Sequence, residues 1–268
     1  MTTPQKEDNN PEKNELAYFF AALMFYTRLP VPQHAPHSTD ILNGSQKYFP
    51  LIGIIIGFIA VLVFLISQLF LSISLSVALS MVATFLATGA FHEDGFADSC
   101  DGLGGGWKAE QVLNIMKDSR VGTYAVVGLI SLFSVKFLAL VELATLSITT
   151  LVFCYIAAHT FSRLCSSFVI DAYDYVQDID VSKTKPITDS KLNSQDKHAT
   201  LIISIMPLLI LTFVSFIPTV IAVLASIITA TVFMNYCERR IGGYTGDILG
   251  ATQQLSEVAF YLAFIAVI

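Results

Sequence analysis

Ten residues, His92 to Asp101, hold three aspartates, a glutamate and a histidine, and apolar segments long enough to cross a membrane flank them on both sides. If the stretch is helical, a rotation of 100° per residue sets Asp94, Asp98 and Asp101 within roughly 60° of one another on one face. Three carboxylates so close repel, and the usual compensations are a bound cation or a raised pKa. Mg²⁺ takes oxygen ligands and bridges a few carboxylates to substrate phosphates. The expectation is therefore a metal site held by Asp94, Asp98 and Asp101 at the membrane face, acting on a phosphorylated substrate. The plain alternative is a solvated acidic loop ending in a flexible Gly104–Gly106 linker. It loses weight here, because ionisable groups beside a membrane span are costly and tend to be functional.

Further groups suit the same chemistry. Lys117-Asp118-Ser119-Arg120 follows the acidic run after one short segment, and two cations beside a metal site suit a diphosphate. The competing reading of Lys117 and Arg120 is ordinary anchoring at the membrane surface. Arg28, in Thr27-Arg28-Leu29-Pro30, either holds a phosphate or snorkels into lipid headgroups. His159 and Arg163 lie four residues apart within a span, on one helical face; Arg163 is a candidate for an anionic group or a strut to an aspartate. Lys136, in another span, reads as structural. Gly242, Gly243 and Gly246 permit close backbone approach, and Asp247 opens the last span either as a metal or hydroxyl partner or as a helix cap. His92 faces away from Asp94 on a helical wheel and reads well as an N-terminal cap. No Ser/His/Asp, Cys/His or zinc arrangement emerges, and the four cysteines form no CxxC pair.

The elements that must position these residues are membrane helices. Only 13% of the 268 residues are charged and 54% are hydrophobic, where a soluble domain carries about 25% charge. An all-α polytopic membrane protein follows. Its spans are expected at about 48–71, 73–91, 123–145, 147–170, 200–217, 219–236 and 248–268, with the fifth and sixth turning at Pro218. Gly53 and Gly57 offer a small-xxx-small packing face. Residues 16–26 are too short to span and read as an interfacial or re-entrant helix stopped by Pro30 and Pro32. Residues 1–15 read as a disordered polar tail with no cleavable signal, 16–268 as one integral-membrane catalytic domain, and 33–47 and 171–199 as polar loops. All lysines and arginines except Lys136 and Arg163 fall in the tail, the polar loops and the segments that carry the motifs. The short turns near Ser72, Leu146 and Pro218 hold none. The positive-inside rule then sets every polar loop in the cytoplasm and the C-terminus outside. A net charge of −6 with no basic stripe gives no nucleic-acid signal.

Four blocks stand in order: Thr27-Arg28-Leu29-Pro30, His92-x-Asp94-Gly95-x-x-Asp98-x-x-Asp101-Gly102, Met116-Lys117-Asp118-Ser119-x-x-Gly122 and Gly243-x-x-Gly246-Asp247-x-x-Gly250. Together they resemble the cobalamin synthase family, the adenosylcobinamide-GDP ribazoletransferases, from about Glu15 to the C-terminus. Glu93 departs from that pattern, where the family carries an apolar residue, usually leucine. The resemblance implies a Mg²⁺-dependent, multi-pass enzyme of the bacterial inner membrane with a cytoplasmic active face, in contact with membrane lipid. Its small-molecule substrates would be the corrinoid adenosylcobinamide-GDP and α-ribazole or its 5′-phosphate, joined with release of GMP. Asp94, Asp98 and Asp101 would hold the metal. Lys117, Asp118, Arg120, Arg28, Arg163, Gly246 and Asp247 would bind substrate. A carboxylate such as Asp101, or His92, would take the hydroxyl proton. A homo-oligomer is compatible with such a chain. Two other readings stand beside it: a CDP-alcohol-type phosphotransferase making a lipid, and a cation transporter.

Overall fold

The computed structural model describes residues 15–32, 38–176 and 191–268. The expected disordered tail, apart from Glu15, and the middle of the loop at 171–199 lie outside them. The described chain is helical. Its only β pairing among those residues is an isolated bridge between Tyr175 and Tyr244.

Each long apolar run becomes a helix: α3 (Phe49–Gln68), α4 (Ile73–Thr88), α7 (Thr123–Leu146), α8 (Ile148–Ala172), α9 (Ser194–Val214), α10 (Phe216–Ile241) and α11 (Gly246–Ile265). Six of these are long and apolar enough to cross a membrane, and the bent pair begun by α4 makes a seventh if taken as one span. The short N-terminal helix α1 (Glu15–Tyr26) forms as expected. Three local expectations change. Residues 39–45 form a helix, α2 (Thr39–Ser45), capped by the Ser38 side chain, inside what reads as a polar loop. The turn between α9 and α10 falls at Ser215, and Pro218 sits in the first turn of α10, where a missing N–H costs nothing. α9 starts at Ser194, earlier than its apolar run, because Asn193 caps it by accepting from the Asp196 N–H.

α3 packs along α8, with Gly53 against the backbone of His159 and Thr160 and Gly57 against Ile156, the close approach that small-xxx-small spacing permits. α11 is the central helix, packed against α5, α7, α8 and α10. The main apolar core joins Phe64, Leu140, Leu143, Leu151, Tyr155, Phe260, Tyr261 and Phe264.

The polar ends of the bundle are tied together at one end. Lys47, ahead of α3, bonds both Glu15 and Asp196. Lys197 of α9 pairs with Asp171 of α8. The Tyr244 N–H donates to the Asp174 carbonyl, and the Val176 N–H to that of Tyr244. The turns at Ser72, Ser147 and Ser215 lie at the opposite ends of the same helices.

Candidate active site

The acidic run forms its own helix, α5 (Phe91–Gly105), broken from α4 by a 90° bend. Two consecutive residues make the bend in the left-handed region, Gly89 at φ 67° and Ala90 at φ 55°. Glycine takes that conformation freely; alanine is strained there. Ala90 is the N-terminal boundary residue of α5, so His92 is not its cap.

From the bend, α5 climbs along the first turns of α7 and α11. Phe96 and Cys100 lie against Gly128 of α7, and Asp101 reaches its start. Against α11, Gly95 lies on the backbone of Asp247, and Gly250 lies on His92. Asp94 is exposed and Asp98 half-buried, one helical turn apart. The backbone of Asp247 touches the residue next to Asp94. Asp247 does not cap α11; Thr245 does, its hydroxyl accepting from the Ile248 N–H.

Asp101 has a role the sequence does not announce. Its two oxygens accept from the backbone N–H groups of Gly122 (2.6 Å) and Ala125 (2.9 Å), so it caps α7 from another helix. Among the described residues, no group of three or more His, Cys, Asp or Glu side chains stands close enough to hold a metal ion. Asp94 and Asp98 are the aspartates of α5 that reach the surface.

The third block, Met116 to Gly122, follows from the end of α6 (Ala109–Met116), with Lys117 exposed at that helix's C-terminal end. Asp118 and Arg120 form a bidentate pair at 2.5–3.0 Å, and the Asp118 oxygen also accepts from the Arg120 N–H. The Arg120 guanidinium holds the Asp118 carboxyl down at about 2. Asp101, Gly105, Asp118, Arg120, Gly122 and Tyr124 help line an open pocket of about 410 Å³. Arg240 joins α10 to this end, donating to the Gly106 carbonyl at 2.5 Å and the Leu103 carbonyl at 3.3 Å, the free carbonyls at the end of α5.

The first block meets the other end of α5. The Arg28 N–H donates to Ala87 at 2.7 Å, and its side chain lies across Gly89. Arg28 is exposed there. The structure thus strings Arg28, Asp94, Asp98, Asp247, Asp101, Asp118 and Arg120 along one helix.

Two expected residues are not on that face. His92 is buried, stacked on Phe49 with ring centroids 5.6 Å apart. Arg163 is fully buried; its guanidinium lies 5.6 Å from the Phe49 ring centroid and donates to the His159 carbonyl at 2.8 Å. Through His159, Arg163 belongs to an interior polar network centred on Glu257, which the sequence reading passed over. Lys136 pairs with Glu257 at 2.6 Å, and Gln253, Tyr261 and His159 also approach its carboxylate. Glu257 was findable as a lone acid within an apolar span. Arg240 and Thr245 act on backbone partners that no spacing rule marks.

The family model described as cobalamin-5-phosphate synthase matches residues 18–265. A protein of Shewanella frigidimarina named adenosylcobinamide-GDP ribazoletransferase is 42% identical over 254 residues, covering 94% of this chain and 95% of that protein. One of Vibrio cholerae with the same name is 41% identical over 252 residues, 94% of each chain. One of Shewanella baltica is 38% identical over 253 residues, 94% of this chain and 95% of the other. No solved structure matches. The chain belongs to the cobalamin-5-phosphate synthase family.

Proposed function

We propose that this chain is an adenosylcobinamide-GDP ribazoletransferase, joining adenosylcobinamide-GDP to α-ribazole or its 5′-phosphate and releasing GMP. The observation that carries this reading is the convergence of all four sequence blocks on α5 in a chain whose relatives bear that name. Neither lipid phosphotransfer nor cation transport finds support in the comparisons.

The residues fit a Mg²⁺ ion in a limited way. Asp94 and Asp98 would hold it, consistent with the ion's habit of taking one or two carboxylates plus phosphates and water. Asp101 is better suited to capping α7, with both oxygens committed to backbone N–H groups. When bound, the ion would neutralise diphosphate charge.

The chain's own groups do the rest. Lys117 and Arg120, with Arg28 at the far end, supply positive charge for the diphosphate oxygens. Arg120 must exchange its partner, Asp118, for phosphate to do so. The ribose hydroxyl oxygen of the ribazole attacks the phosphorus next to the cobinamide. A new P–O bond forms, the diphosphate P–O bond breaks, and GMP carries off the electron pair. A carboxylate on the α5–α11 face accepts the hydroxyl proton, a role His92 is too deeply buried to fill. Arg163 stabilises the interior instead of binding phosphate. The enzyme works in the bacterial inner membrane with this face in the cytoplasm.

The test is turnover by purified protein in detergent or liposomes. GMP release with Mg²⁺, abolished by EDTA and by Asp98→Asn, supports the whole reading. Release that survives both would leave the activity and remove the acid site. No release from folded protein would overturn the function.

A further inference from the structure

The acid helix meets α11 along two glycines, with Phe96 in an apolar cluster that also holds Ala251 and Val258 of α11. A Cβ on Gly95 would stand 2.9 Å from the Asp247 Cα, and one on Gly250 would stand 3.0 Å from the His92 carbonyl oxygen. Such crossings bring two backbones close and leave few side chains on the line of contact itself. Buried polar side chains then add to the specificity of the register. Asp247, Gly250 and Gln254 recur at i, i+3 and i+7, so they form one stripe along α11. At the inner end of that stripe, the Gln254 Nε2 donates to the Glu93 Oε1 at 2.8 Å, and both side chains are buried. The other carboxylate oxygen of Glu93 and the amide oxygen of Gln254 have no hydrogen-bond partner among the described residues. Neither group has a second hydrogen bond there to fall back on.

We propose that Glu93 and Gln254 form a clasp that sets the register and roll of α5 on α11, and so positions Asp94 and Asp98 against Asp247 for the transfer. Glu93 is bonded to Asp94 through the backbone. Any roll of α5 that releases Gln254 also re-aims Asp94, and a one-residue slip turns the helix by 100°. Losing the clasp strands a buried carboxyl and a buried amide, which disfavours other registers. The departure at Glu93 is thereby accounted for: it serves the acid face from behind without joining it. The inference rests on the reading that Asp94 and Asp98 act on the diphosphate.

The experiment compares wild type with Glu93→Leu, Gln254→Leu, Glu93→Gln and the exchange Glu93→Gln/Gln254→Glu. GMP release is measured against substrate and against Mg²⁺, with melting temperature measured alongside. Each leucine variant should lose about tenfold in kcat and need more Mg²⁺, with KM for the corrinoid nearly unchanged, as misplaced catalytic groups do. Glu93→Gln and the exchange keep an amide–oxygen hydrogen bond and should return to within about threefold of wild type. A readout free of turnover is the distance between spin labels at Trp107→Cys and Leu262→Cys, which should broaden in Glu93→Leu. Wild-type kcat in either leucine variant overturns the clasp. So does an exchange no better than the single leucine variants at equal melting temperature, or an activity loss that only follows the loss of folded protein. Wild type that releases no GMP sinks the functional reading and the clasp with it; active wild type beside active Glu93→Leu sinks the clasp alone.

Discussion

Asp94, Asp98 and Asp101 are one residue type on one helical face, yet their surroundings divide their work. Asp101 caps α7, while Asp94 and Asp98 remain toward the surface. Asp94→Asn and Asp98→Asn should each lower kcat by about 10² or more, the scale for removing a charge-stabilising group. Asp101→Asn keeps an acceptor for the cap and should be milder. Asp101→Ala should cost about 1 kcal/mol of stability, read as a lower melting temperature. Equal kcat losses for all three asparagine variants would return Asp101 to the ligand set. At Asp118 the pH sign follows from the depressed carboxyl. Its pairing with Arg120 is fully present above the ordinary value of 3.8 and is lost as pH falls through about 2. The pH–rate profiles of wild type and Asp118→Asn should therefore run parallel between pH 5 and pH 8, whatever their heights. The acid run itself was legible because charge is scarce in this chain. The Asp101 cap was not, because its partners are backbone N–H groups on another helix.

At the scale of elements, the apolar runs announced nearly every long helix, since a membrane span needs about 20 apolar residues and little else. The 90° bend at Gly89 and Ala90 was hidden: one glycine after an apolar run reads equally well as a packing contact. Also hidden was the pairing of Lys136 with Glu257, because nothing in the spacing says that the third and last spans meet there. Removing one partner of a buried ion pair leaves an uncompensated charge, so Lys136→Met should destabilise the protein by about 3–5 kcal/mol. Adding Glu257→Gln should recover part of that loss in thermal unfolding, whereas additive losses would mean the two do not act as a pair. At the outer end of α5, Arg240→Met removes a cation from two helix-terminal carbonyls. A cost of about 1 kcal/mol, or about 2–4 °C in melting temperature, is expected.

For the whole molecule, the arrangement of charge and the arrangement of contacts agree. Among the described residues, Lys47 with Glu15 and Asp196, Lys197 with Asp171, Asp101 with Gly122, and Arg240 with Gly106 all tie helix ends at the end of the bundle that carries the motifs. The turns at Ser72, Ser147 and Ser215 carry no lysine or arginine. The orientation proposed from the positive-inside rule, with the α5 face in the cytoplasm, rests on this asymmetry. Single cysteines at Ser72 and Ser119 test it, since both positions are exposed, one at each end. Cys154, Cys165 and Cys237 are buried and should stay silent, and half-buried Cys100 is replaced by alanine in the background. A membrane-impermeant maleimide should label Ser72→Cys in spheroplasts and Ser119→Cys in inside-out vesicles. The reverse pattern would turn the active face outward and force the nucleotide substrate to cross the membrane. Labelling of both from one side would break the span count itself, because an odd number of crossings between residues 72 and 119 is what lets α4 and α5 carry the chain from one end to the other.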